Sequence, residues 1–220
     1  MKIKAIITGA TGMVGEGVLH ECLLSDEVEK VLVVGRKPCG FSHPKLTEVL
    51  ITDFMKVETI SPSLAGYNAC YFCMGVSSMG MDKEKYKQLT YDLTMEFARV
   101  VKEQNADMTF CYVSGTGTDG TEKGRIAWAR VKGKTENDLA KMGFRQAYAF
   151  RPGYIQPTKG LKNAYKVYKY LAPFYPFWKL VMPNGTVTLK ELGQAMINTV
   201  NKGYEKPVLD CRDIRALAAR

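Results

Sequence analysis

The chain has 220 residues, 46% hydrophobic and 24% charged, a globular composition that excludes a disordered or fibrous chain. No apolar run approaches the roughly 18 residues needed to span a bilayer, and the length suits one compact α/β domain over residues 1–220. The net charge of +9 sits in the second half: residues 1–110 hold 12 basic and 14 acidic side chains, residues 111–220 hold 19 and 8. Such a half suits an anionic partner such as a cofactor phosphate, an acidic substrate or a membrane surface. Nucleic acid is not expected, because zinc-ligand spacing, a basic helical arm and RNA-binding aromatic motifs are missing.

Apolar, β-branched runs recur in chain order at Ile3–Ile7, Val31–Val34, Val49–Ile51, Ala69–Cys73, Phe110–Val113, Ala147–Phe150 and Val208–Asp210. Their near-continuous apolar character predicts strands covered on both faces, as in a parallel sheet. Helical patterns fill the spacers: Thr11–Leu24, Lys83–Gln104 and Gly124–Lys141, then a helix opened by the capping box Thr188-Leu189-Lys190-Glu191 and ending near Gly203. Strand alternating with helix predicts a doubly wound parallel sheet, a Rossmann fold, with a small C-terminal helical cap. The first apolar stretch is too short for a signal peptide and runs straight into a glycine loop, so a cytoplasmic location is expected. Among the six cysteines, Cys70 and Cys73 have redox spacing but sit in a strand pattern, which predicts packed, reduced thiols. No metal site is expected, since the two histidines, His20 and His43, fall in no cluster of ligands.

Thr8-Gly9-Ala10-Thr11-Gly12-Met13-Val14-Gly15 follows the first strand and opens a helix. Gly9 permits a tight turn, Gly12 a close approach of backbone N–H groups to a diphosphate, and Gly15 close packing of helix on strand. A dinucleotide site is therefore expected, over Thr8, Gly9, Thr11, Gly12, Met13, Val14 and Gly15. An NAD site usually carries a carboxylate at the end of the second strand, for the ribose 2′-hydroxyl. Here that strand ends in Gly35-Arg36-Lys37. A guanidinium binds a 2′-phosphate through paired, charge-assisted hydrogen bonds, so NADP is expected rather than NAD.

These residues resemble the atypical and extended short-chain dehydrogenases/reductases, an epimerase- and dehydratase-like superfamily, and within it the small Tat-interacting oxidoreductase-like branch. The glycine loop looks like that family's TGxxGxxG motif. Asp53-Phe54 and Met74-Gly75 look like its adenosine-side contacts, and Pro152-Gly153, within Arg151-Pro152-Gly153, like its loop beside the nicotinamide. The resemblance covers roughly residues 1–157. It implies an NADPH-binding protein, with Ser114 or Thr116 near the family's catalytic hydroxyl and a Tyr-x-x-x-Lys pair on one helix. Lys132 matches the family lysine, which implies a contact with the nicotinamide ribose. Trp128 stands where the family has tyrosine. An indole N–H donates a hydrogen bond but cannot release a proton near pH 7. Ser114, Thr116 and Tyr154 are the remaining candidates for the acid.

Residues 161–180 carry seven of the chain's 23 aromatics and four lysines without an acidic residue. The segment fits three readings: a substrate lid, a dimer face or membrane-surface contact, and packing along the sheet edge. Residues 154–200 are expected to form the substrate side. Two functions remain open: an NADP-dependent oxidoreductase acting on a small carbonyl or alcohol, and a non-catalytic NADP-binding regulatory or scaffold protein. A nucleotide-sugar epimerase is a third, with little chain left for its substrate domain.

Overall fold

In the computed structural model, which describes residues 1–163 and 183–220, all seven expected strands join one parallel sheet. They are β1 (Ile3–Thr8), β2 (Val28–Gly35), β3 (Leu46–Leu50), β4 (Ala69–Phe72), β5 (Thr109–Val113), β6 (Gln146–Phe150) and β9 (Val208–Leu209). Their order is β3-β2-β1-β4-β5-β6-β9, with every neighbouring pair parallel. The order reverses between β1 and β4, the place where open α/β sheets leave a crevice for ligands.

Alternation along the strands assigns the two faces. Ile3, Ala5, Ile7, Tyr71 and Cys111 pack into one core with α1 (Met13–Leu24), α5 (Leu189–Lys202) and α6 (Cys211–Ala218). Ile6, Leu32, Cys70, Phe72, Phe110 and Tyr112 pack into the other, with a 3₁₀ segment (Phe54–Leu64), α3 (Leu93–Gln104) and α4 (Ala127–Lys141). Burial on both sides explains why the strands lack a polar period.

Several boundaries differ from the sequence expectation. β3 begins at Leu46, because its edge position leaves one side half-wet and blurs the apolar run. The long helix is α2 (Lys83–Lys87) joined to α3 through a π-helical turn, Gln88–Asp92. α4 starts at Ala127 because Gly124 is held in a loop, its N–H donating to Asp119 Oδ2 at 2.6 Å. The capping box at Thr188 opens α5, and Gly203 ends it. α5 packs on α1, so it belongs to the layer flanking the sheet. A two-stranded parallel sheet, β7 (Tyr154–Gln156) with β8 (Thr186–Thr188), was not foreseen, nor was α6. The aromatic segment lies mostly outside the described residues. All six cysteines are free thiols, and no metal-holding cluster occurs among the described residues.

Candidate functional site

The crevice at the sheet reversal holds a cavity of about 540 Å³. Gly9, Thr11, Gly12, Arg36, Lys37, Phe54, Met74 and Gly75, all offered to a dinucleotide by the sequence, line it together with Ala10, Val33, Gly35 and Cys73. The glycine loop is shaped by close backbone approach. Gly9 has φ +73°, and a Cβ there would lie 2.8 Å from the Cys73 carbonyl oxygen. A Cβ on Gly15 would lie 2.2 Å from the Gly9 carbonyl oxygen, so α1 sits directly against the loop. Gly12 donates its N–H to Gly9 O at 2.9 Å and caps α1 without any side chain. An uncapped helix N-terminus carries partial positive charge and unpaired N–H groups, the chemistry that receives a phosphate. The residues present therefore fit a dinucleotide.

The remaining loop residues support the cradle from behind. Thr8 is fully buried, with no hydrogen-bond partner for its hydroxyl; Met13 and Gly15 are buried and Val14 half-buried. Arg36 and Lys37 are exposed at the cavity rim, just past β2. Asp53 acts on its own backbone neighbourhood, where its carboxylate accepts the Met55 N–H at 3.0 Å and caps the 3₁₀ segment. Phe54, next to it, faces the cavity.

Of the other expected residues, Ser114 and Lys132 meet at the carboxyl end of β5, beside a buried carboxylate that sequence reasoning missed. Glu136 on α4 forms an ion pair with Arg151, whose Nε lies 3.0 Å from Oε1, and it accepts the Ser114 hydroxyl. Ser114 Oγ also lies 3.1 Å from the Phe150 carbonyl. Both contacts face inward, and Ser114 is buried. The hydroxyl that the sequence offered to a substrate is thus engaged inside the fold. Lys132 donates to the Ser114 carbonyl oxygen. Burial pushes its ammonium pKa below the usual lysine value, and Glu136 one turn along the helix partly offsets this. The Lys132–Glu136 spacing of four residues was the available signal, since it places both on one helix face.

Thr116 is exposed in the loop after β5. Its N–H donates to Pro152 O at 2.9 Å, and a Cβ on Gly153 would lie 3.3 Å from its hydroxyl. Gly153 in turn donates its N–H to Cys211 Sγ at 3.1 Å. Tyr154 opens β7 and donates its phenol to Gln156 Oε1 at 2.9 Å. Trp128 packs its ring edge on the same loop, with Cη2 3.3 Å from a Cβ placed on Gly117. Buried Glu16, in the first turn of α1, accepts the N–H groups of Lys162 and Asn163 at 2.8 and 2.7 Å.

No family model matches the chain. The FMP52 protein of Debaryomyces hansenii is 29% identical over 167 residues, covering 73% of this chain and 72% of that protein. The HTATIP2 protein of Rattus norvegicus is 25% identical over 158 residues, covering 70% of this chain and 64% of that protein. The chain is similar to the Tat-interacting-like branch of the short-chain dehydrogenases/reductases. These alignments span about two thirds of the relatives' lengths. A short chain dehydrogenase family protein from Francisella tularensis matches in fold with a TM-score of 0.67 at 14% identity, covering 100% of both chains. Solved epimerases match the fold similarly. The expectation of a cytoplasmic location is corrected: the FMP52 relatives carry the word mitochondrial in their names. Sequence reasoning weighed a short apolar stretch running into a glycine loop, and neither carries an address.

Proposed function

We propose that the protein is an NADP-binding oxidoreductase acting on a small carbonyl or alcohol, with residues 1–220 forming one domain. The observation that carries this is the glycine-shaped, uncapped start of α1 opening on a cavity with Arg36 and Lys37 at its rim. The names of its relatives suggest a mitochondrial setting.

The α1 N-terminus would hold the diphosphate, Arg36 and Lys37 the 2′-phosphate, and Met74 and Gly75 the adenosine side. Lys132 would hold the nicotinamide ribose with the N–H donors left after its bond to Ser114 O, and Pro152 and Gly153 would flank the nicotinamide. When bound, such a cofactor supplies or accepts a hydride. The Thr116 hydroxyl, exposed beside Gly153, would turn from the Arg151 carbonyl, to which it donates at 3.3 Å, to polarise the substrate oxygen, and the Tyr154 phenol would leave Gln156 Oε1 to exchange the proton. Ser114 acts through its backbone and through Glu136, positioning the loop that carries Thr116. A second reading, NADP binding without turnover, draws on Trp128 in the tyrosine position and on the engaged Ser114 hydroxyl.

The deciding measurement is thermal stabilisation by NADPH against NADH, in wild type and Arg36→Ala. The expected result is a preference for NADPH of tenfold or more in affinity, collapsing in the variant. Equal stabilisation of the wild type by both cofactors refutes the role of Arg36, and none by either refutes the whole reading. Turnover separates the two functions. Oxidation of NADPH with a carbonyl panel, lost in Tyr154→Phe, supports the enzyme; activity gained only in Trp128→Tyr supports the binding protein.

A further inference from the structure

A second concave site lies outside the dinucleotide crevice, between α2 and the start of α4. It is a cleft of about 380 Å³ whose floor is apolar: Met81, buried Tyr86, Trp128 and Val131. Two exposed apolar side chains lie close in sequence to that floor, Met79 at 91% and Ile126 at 56% exposure.

The rim has a different character. Lys83, Lys87 and Arg130 border the cleft against a single acid, Glu84. Arg130 spends one N–H on a neutral acceptor, the Gly124 carbonyl at 2.6 Å, and Asp119 is its acidic neighbour. Lys87 lies 3.8 Å from Asp92. Asp82 stands beside Lys83, so each base has an acidic neighbour behind it; in the cleft lining itself three bases face one acid. The chain thus pairs an apolar floor with a cationic edge, which is complementary to a molecule with an apolar body and one anionic end.

Trp128 joins this cleft to the reaction loop. One part of its ring lines the cleft, and its edge rests on Gly117, one residue after Thr116. A tyrosine would set a proton donor at this position. Tryptophan sets a wide apolar wall there instead.

We propose that this cleft binds the apolar body of an amphipathic organic anion, with Trp128 as the contact wall and Lys83, Lys87 and Arg130 receiving the charged end. This names the substrate class for the function proposed above and rests on that reading for its relation to Thr116. Binding to the cleft is measured independently of it.

The chain has two tryptophans, Trp128 and Trp178, so protein carrying ¹⁵N-labelled tryptophan gives two indole signals. Trp178→Phe assigns the Trp128 signal; if that variant fails to fold, Trp128→Phe assigns the other by elimination. The full-length protein is titrated with decanoate below its micelle concentration, with decanol and with acetate. Decanoate is expected to shift the Trp128 signal saturably, with affinity about tenfold above decanol, and acetate is expected to leave it in place. Lys83→Ala/Lys87→Ala is expected to bring decanoate down to the decanol level. The proposal is overturned if decanoate produces no saturable shift, if decanol binds equally well, or if the Trp128 signal moves only with protein concentration, which marks a second copy in the cleft. NADPH stabilisation of the same samples reads the cofactor site separately: loss of one response with the other retained shows which reading has failed.

Discussion

Replacing Gly15 with alanine tests the cradle directly. The new Cβ would sit 2.2 Å from the Gly9 carbonyl oxygen and 2.8 Å from the Ala10 nitrogen, both backbone atoms in a loop pinned on its other side by Cys73. No rotamer change relieves such a clash, so α1 and the loop must separate. Overpacking of this kind costs about 1–3 kcal/mol, and for a chain of this size each kcal/mol lowers Tm by roughly 2–4 °C. Gly17→Ala is the matched control. Its Cβ would meet Leu189 Cγ at 2.1 Å, a side chain of the α1–α5 contact and not the backbone of the loop. Both variants should melt lower than wild type, but only Gly15→Ala moves the carbonyl that shapes the phosphate cradle. At a hundredfold excess over Kd, a ligand stabilises the folded state by about 2.7 kcal/mol. Differential scanning fluorimetry with and without NADPH should show Gly17→Ala keeping the full ligand-induced rise in Tm and Gly15→Ala losing most of it. An undiminished rise in folded Gly15→Ala refutes the assignment of the diphosphate to this corner.

Three further outcomes follow from buried groups. Glu136→Ala strips Arg151 and Ser114 of their shared acceptor, and breaking such a buried pair should cost about 3–5 kcal/mol in urea unfolding; a loss under about 1 kcal/mol contradicts the network. Burial pushes the Cys111 thiol from 9.0 up to about 12. The folded state then holds a proton that the unfolded chain releases, so this contribution is complete below pH 9 and falls by up to about 1.4 kcal/mol per pH unit from there towards 12. Urea midpoints from pH 8 to 10.5 should decline less steeply in Cys111→Ala, and an unchanged slope excludes the thiol as a source. Glu16→Gln puts an amide where two backbone donors need an anion. Hydrogen exchange at Lys162 and Asn163 should speed up with little change at β1, whereas unchanged protection refutes the anchoring role.

The parallel sheet was legible because both of its faces are dry, so each strand stands out as an apolar run bounded by a helical pattern. β3 at the edge was placed late for the converse reason. The two-residue β9 was found despite its length, but β7 and β8 escaped: three residues each, paired with one another, carry too little pattern. The glycine loop was readable because its chemistry is local and ordered along the chain. The Ser114–Glu136–Arg151 group was not, since its members come from three elements and meet only after the sheet forms. Asp53, a carboxylate expected on the adenosine side, gives one oxygen to the cap of the 3₁₀ segment. The side chain one residue later faces the cavity.

Glu16 ties together stretches of chain separated by nearly 150 residues. The acceptor belongs to the first β–α unit, whereas its donors follow the seventh strand of the chain. The backbone at Lys162 and Asn163 thus takes its position from the first helix of the chain. A chain truncated or misregistered at its beginning would therefore betray itself far downstream, at residues that never touch the error.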